Sequence, residues 1–132
     1  MKRFSLKQML VGTAIIAVAL AALIPIADPF DNATFTPARW AKAGAQERGR
    51  MSRDLVANYL KPGLSLAEVE ALIGHTENLI KPSDPWGHRA RGAETRVYPI
   101  GSWPYHGRND AMVYVHFDSN GELIAAEISG FF

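Results

Sequence analysis

The spacing of apolar side chains changes along the chain, and each change marks an element. Residues 9–27, MLVGTAIIAVALAALIPIA, carry no charge and are apolar on every side. A helix of that length crosses the roughly 30 Å hydrocarbon core of a bilayer. Over residues 46–60 the apolar positions recur at helical spacing, with Met51, Leu55, Val56 and Tyr59 on one stripe and Arg48, Arg53 and Asp54 mostly elsewhere. That pattern predicts an amphipathic helix with one face to bury. Pro62 ends it, because the residue before a proline is pushed away from helical backbone, and Gly63 then permits a sharp turn. A second helix follows, with Leu66, Val69, Leu72 and Ile73 at helical spacing and Gly74 as a left-handed stop.

Farther along, the period drops to two. TRVYPI (95–100), AMVYVHF (111–117) and ELIAAEI (122–128) are rich in β-branched and aromatic residues. Val113, Val115 and Phe117 alternate with Met112, Tyr114 and His116, while Ile124, Ala126 and Ile128 share a face. Between the last two runs, Asp118-Ser119-Asn120-Gly121 predicts a hairpin turn, with Asn120 and Gly121 suited to positive φ. The expected architecture is α+β: two N-terminal helices packed on one face of a three-stranded antiparallel sheet, preceded by a transmembrane or signal helix.

Gly63-Leu64-Ser65-Leu66-Ala67 comes within one residue of the G-x-S-x-G elbow that presents a serine nucleophile. That elbow needs a buried strand before it and an acid and a histidine after it, whereas a helix ending in Lys61-Pro62-Gly63 precedes Ser65. Ser65 and Glu68 instead have the S-x-x-E spacing of a capping box, flanked by Leu64 and Val69 as a hydrophobic staple. Ser65 is therefore expected to be structural, with Gly63, Glu68, Gly74, Asn120 and Gly121.

A length of 132 residues fits one domain plus short appendages. The layout is a basic cytoplasmic stub (1–8), the transmembrane anchor or signal segment (9–27), a linker (28–44) and an α+β domain (45–132). In the linker, Phe35 and Trp40 are either interfacial aromatics or incidental members of a plain tether. The formal charge is +1, from 14 basic and 13 acidic residues. Lys2, Arg3 and Lys7 precede the apolar run, so the body of the chain is mildly acidic. A nucleic-acid binder concentrates positive charge in its folded domain, so nucleic acid is not an expected partner. The cations ahead of the apolar run predict a cytoplasmic N-terminus and a domain outside the membrane, anchored if the segment is retained and periplasmic if it is cleaved.

The absence of cysteine removes disulfides, thiolate metal sites, cysteine nucleophiles and lipidated cysteine. The 4 histidines form no H-x-H or H-x-x-x-H pair, so no metal or other cofactor is expected. Glu68 and Glu70 point to different sides of a helix and Asp118 belongs to a turn, which leaves no acid/base pair and no enzyme to propose. The segment 81–108, KPSDPWGHRARGAETRVYPIGSWPYHGR, is net positive and interleaves arginines with large aromatics. Its Trp86, Arg89, Arg91, Trp103 and Tyr105 are the candidate partner-binding residues, because Trp, Tyr and Arg dominate interface hot spots.

Taken together, Gly63-Leu64-Ser65-x-x-Glu68-Val69-x-x-Leu72-Ile73-Gly74, Tyr98-x-Ile100-Gly101 and Phe117-Asp118-x-Asn120-Gly121 resemble, in their order and spacing over residues 45–128, the small SmpA/OmlA (BamE-like) domain of bacterial outer-membrane assembly lipoproteins. The chain departs from that pattern in having no cysteine to lipidate, and in carrying His75-Thr76 where a proline often follows the helix-ending glycine. The resemblance implies a non-catalytic protein-protein interaction module of the cell envelope. The alternative that the residues leave open is a binder of anionic lipid or cell-wall polymer through the basic-aromatic segment 81–108.

Overall fold

The computed structural model describes residues 33–103 and 109–129. Thr36 caps the first helix, α1 (Pro37–Lys42), by accepting from the Arg39 amide, with Pro37 in the first turn where its missing N–H costs nothing. Helix α2 (Ala45–Asp54) runs without interruption into a π-helical turn, Leu55–Tyr59. Helix α3 (Leu66–Ile73) starts at the expected capping box: the Ser65 side chain accepts from the Glu68 amide, and the Glu68 carboxylate accepts from the Ser65 N–H at 2.7 Å. That hydrogen bond is the largest of the influences that hold the Glu68 carboxyl below its usual range. Gly63, Gly74 and Gly121 all take positive φ, at 94°, 80° and 78°. Asn120 does not; in that turn the Asp118 carboxylate accepts from the amides of Asn120 and Glu122.

The sheet has four antiparallel strands in the order β1-β2-β3-β4, one more than the expected three. The extra strand is β1 (Leu79–Ile80), two residues too short to show a period, paired to Arg96 and Thr95. Strands β2 (Glu94–Trp103), β3 (Asn109–Phe117) and β4 (Leu123–Ser129) form the meander. The register sets Tyr98 beside Val113 and Ile128, and Arg96 beside Val115 and Ala126, on one face. Thr95, His116 and Ala125, and Val97, Tyr114 and Glu127, line the other. A bulge at His116/Phe117 breaks the alternation, so Leu123 is buried and Ile124, expected to share a face with Ala126 and Ile128, is 39% exposed.

The helices cover the first face. Met51, Leu55, Val69 and Ile73 bury against Tyr98, Ile100, Val113, Val115 and Phe117. Phe35 and Trp40 lie in the same core, 0% and 1% exposed. The reading of residues 28–44 as a linker or membrane-hugging tether therefore fails from residue 33 onward. The Trp40 indole N–H donates to the Ile73 carbonyl at 3.0 Å, its ring meets Phe35 edge-on, and the Phe35 amide donates to Asp54 at 2.7 Å. A short, irregularly patterned segment was enough because each aromatic ring buries roughly 150–250 Å². Among the described residues no helix is long and apolar enough to cross a membrane; residues 1–32, with the expected anchor or signal segment, lie outside them.

Candidate functional site

Residues 81–93 form a chain of closed turns laid over the second face of the sheet. The Asp84 carboxylate accepts from the Lys81 amide at 2.6 Å, the Asp84 amide donates to the Lys81 carbonyl, and the Gly87 amide donates to the Asp84 carbonyl. A side chain at Gly87 would collide with the Pro82 carbonyl. The turns lead into a short 3-10 helix, Gly87–Arg89, with Trp86 at its head. Beyond it, the Ala93 amide donates to the Phe117 carbonyl, and Gly92 passes so close to that carbonyl that no Cβ fits. Local turn chemistry fixes one end of the segment, and contact with β3 fixes the other.

Between those ends, two arginines reach the sheet. Arg89 Nη1 donates to the Tyr114 hydroxyl at 2.8 Å and its guanidinium lies 5.9 Å from the Tyr114 ring centroid. Arg91 Nη2 pairs with Glu127 at 3.0 Å, and the Arg91 main-chain amide donates to His116 Nδ1 at 3.3 Å. His116 is fully buried, with the Thr95 hydroxyl 2.7 Å from Nδ1, Glu127 3.4 Å from Nε2 and the Tyr114 ring stacked beside it. Burial, reinforced by the Arg91 charge, pushes the imidazole below its ordinary value of 6.5, against the opposing pull of Glu127. Trp86 is left pointing outward at 64% exposure, with His88 as a ring neighbour at 6.2 Å.

The candidate residues thus separate. Trp86, Arg89 and Arg91 come together on the second face. Trp103 is the last residue of β2 rather than a loop residue, paired with Asn109. Tyr105 lies outside the described residues. Thr95, Tyr114, His116 and Glu127, which hold the segment down, were not picked out from the sequence. Their signal was the parity of β3: Tyr114 and His116 alternate with core valines, so they had to face something other than the helices.

The first face carries a second polar cluster at its rim. Arg96 lies between Glu70 at 2.5 Å and Glu94 at 2.9 Å, and His75 Nδ1 is 2.8 Å from Glu70. The His75 hydrogen bond, with the Arg96 charge, holds the Glu70 carboxyl below its usual range despite some desolvation. The Tyr98 hydroxyl donates to the Gly74 carbonyl at 3.0 Å; burial pushes its pKa up to about 12, which leaves a phenol that stays protonated. Of these residues, Glu70, His75 and Tyr98 border a cavity of about 450 Å³, also lined by Trp40, Arg48 and Thr76. Its charged groups are already engaged: Arg48 donates to the Trp40 carbonyl and sits over its ring, and Glu70 is held by His75 and Arg96. Among the described residues no three His, Asp or Glu side chains converge as a metal site would require. No family model, curated protein or solved structure matches the chain.

Proposed function

We propose that the chain is a non-catalytic interaction module of the bacterial cell envelope, of the SmpA/OmlA (BamE-like) kind. Residues 9–27 tether or export it, the domain lies outside the cytoplasmic membrane, and Trp86 is the anchor for a protein partner. The observation that carries this reading is the exposure of Trp86, 64%, on a segment held at both ends. An exposed indole on a rigid support loses little entropy when it enters an apolar socket, which is how interface hot spots obtain their energy. The pairing of the arginines favours a protein over an anionic lipid or polymer. Arg91 is neutralised by Glu127, Arg96 by Glu70 and Glu94, and Arg89 is engaged with Tyr114, so the segment presents less positive charge than its composition implies.

A photo-reactive amino acid placed at residue 86 of the membrane-embedded full chain tests this. The expected result is a discrete protein adduct that survives moderate salt and is absent when the probe sits at exposed Ser119. An adduct with lipid or glycan that vanishes as ionic strength rises would establish the polyanion reading instead. Equal, diffuse labelling at both positions would remove Trp86 as an interface. A reporter fused after Phe132 that works only outside the cytoplasm tests the topology, and activity confined to the cytoplasm would sink the envelope assignment.

A further inference from the structure

We propose that His116 and Glu127 form a pH-operated clasp on the segment that carries Trp86, closed while the imidazole is neutral and opened when it takes a proton. As regulation of partner capture, the clasp rests on the reading of Trp86 as the contact.

The geometry at Nδ1 decides it. A main-chain N–H can only donate, so the Arg91 amide, 3.3 Å away, requires a lone pair on Nδ1. The imidazole is then the Nε2–H tautomer, and its proton faces Glu127 Oε1. A proton from solvent has one place to go, Nδ1, where it meets the Arg91 N–H head-on. The Thr95 hydroxyl, 2.7 Å away, is able to rotate and accept it; the Arg91 amide is not. Because Arg91 is also tied to Glu127 through its guanidinium, one residue holds the segment by backbone and side chain to the same histidine–carboxylate pair.

The charged and titratable groups around the ring come from every neighbouring element. Glu127 of β4 favours the imidazolium, Arg91 opposes it, and Arg89 of the 3-10 helix lies beyond Tyr114, the neighbour of His116 on β3. From β2, Thr95 faces the ring while Glu94 and Arg96 lie on the opposite sheet face, paired with each other. Burial is the dominant influence on the ring, so the proton arrives only below the ordinary histidine value of 6.5. When it does, the Arg91 amide loses its acceptor and the imidazolium competes with the Arg91 guanidinium for Glu127, so the segment loosens around residue 91 and Trp86 loses its fixed orientation.

Nuclear magnetic resonance of the full chain in detergent micelles reads the clasp without any partner present. Between about pH 7.5 and about pH 5, the His116 ring is expected to begin as the Nε2–H tautomer and to titrate below the ordinary histidine value. The Arg91 amide should shift and exchange faster with the same midpoint, while the Val69 and Val115 amides hold still. His116→Gln keeps an acceptor without a titrating group, so its Arg91 amide should not respond to pH; if that variant fails to fold, Glu127→Gln should lower the ring midpoint further. Titration of the ring with the Arg91 amide unmoved would overturn the clasp, as would core amides moving at the same midpoint or a pH response that survives in His116→Gln. Partner capture read separately by cross-linking at residue 86 is expected to weaken several-fold across the same midpoint. If the clasp titrates and no protein is captured at any pH, the contact reading fails and the clasp stands.

Discussion

The two faces of one sheet are held by different physics. On the first, Phe35, Trp40, Met51, Leu55, Val69 and Ile73 cover Tyr98, Ile100, Val113, Val115 and Phe117 by non-directional burial. On the second, the cover is a single loop, attached through directional contacts: Arg89 to Tyr114, Arg91 to Glu127 and to His116, and Ala93 to Phe117. Apolar burial adds up over area and tolerates small shifts. A few hydrogen bonds and ion pairs give less net stability each and depend on a specific geometry, and the Arg91–His116 bond depends also on a neutral imidazole. The first face makes the fold, and the second is where the fold is able to respond.

The comparison is broken most severely on the first face. Trp40→Ala removes a fully buried ring and its hydrogen bond to Ile73, and is expected to cost about 3–5 kcal/mol, read as a large fall in the denaturation midpoint. On the second face, Gly92→Ala forces a Cβ against the Phe117 carbonyl. Overpacking of this kind costs about 1–3 kcal/mol, and hydrogen exchange should show the damage confined to residues 86–93 rather than spread through the helices. Ser65→Ala should lower stability by about 1 kcal/mol, the usual loss for a serine N-cap, with the helix α3 amides losing protection first.

Acid sharpens the contrast with a smaller effect. The folded chain binds a proton at His116 less readily than the unfolded chain does. This contribution to stability is therefore complete above 6.5 and is lost as pH falls from 6.5 towards the lower folded value. Urea midpoints measured across that window should decline in the wild type and stay nearly flat in His116→Gln, whereas an equal decline in both would assign the slope to other groups. Trp86→Ala should change stability least, within about 0.5 kcal/mol for an exposed site, while weakening partner capture by more than about 1 kcal/mol. A melting temperature that drops by many degrees would make Trp86 a packing residue and erase the difference between the faces.

Much of the structure that depends on neighbours in sequence is legible in the residues, although the Thr36-capped start of helix α1, equally local, is read there as linker. The Ser65–Glu68 capping box, the sharp turn at Gly63, the stop at Gly74, the hairpin glycine Gly121, the stripe of Met51 and Leu55, and the alternation of Val113, Val115 and Phe117 all follow from rules spanning a few positions, and all are seen. Tertiary packing decided the rest. Phe35 and Trp40 lie in a stretch with no clear period, and only the presence of Ile73 and Asp54 across the fold makes them core. Ile124 leaves the expected face because a bulge, set by how β4 meets β3, shifts it. The segment 81–108 reads as a basic, aromatic surface because composition records which charges are present and not which carboxylates or rings they will meet. Glu127 lies far along the chain from Arg91, and long-range pairing of that kind costs chain entropy that no local pattern encodes. It becomes favourable only once the sheet has already brought the two together.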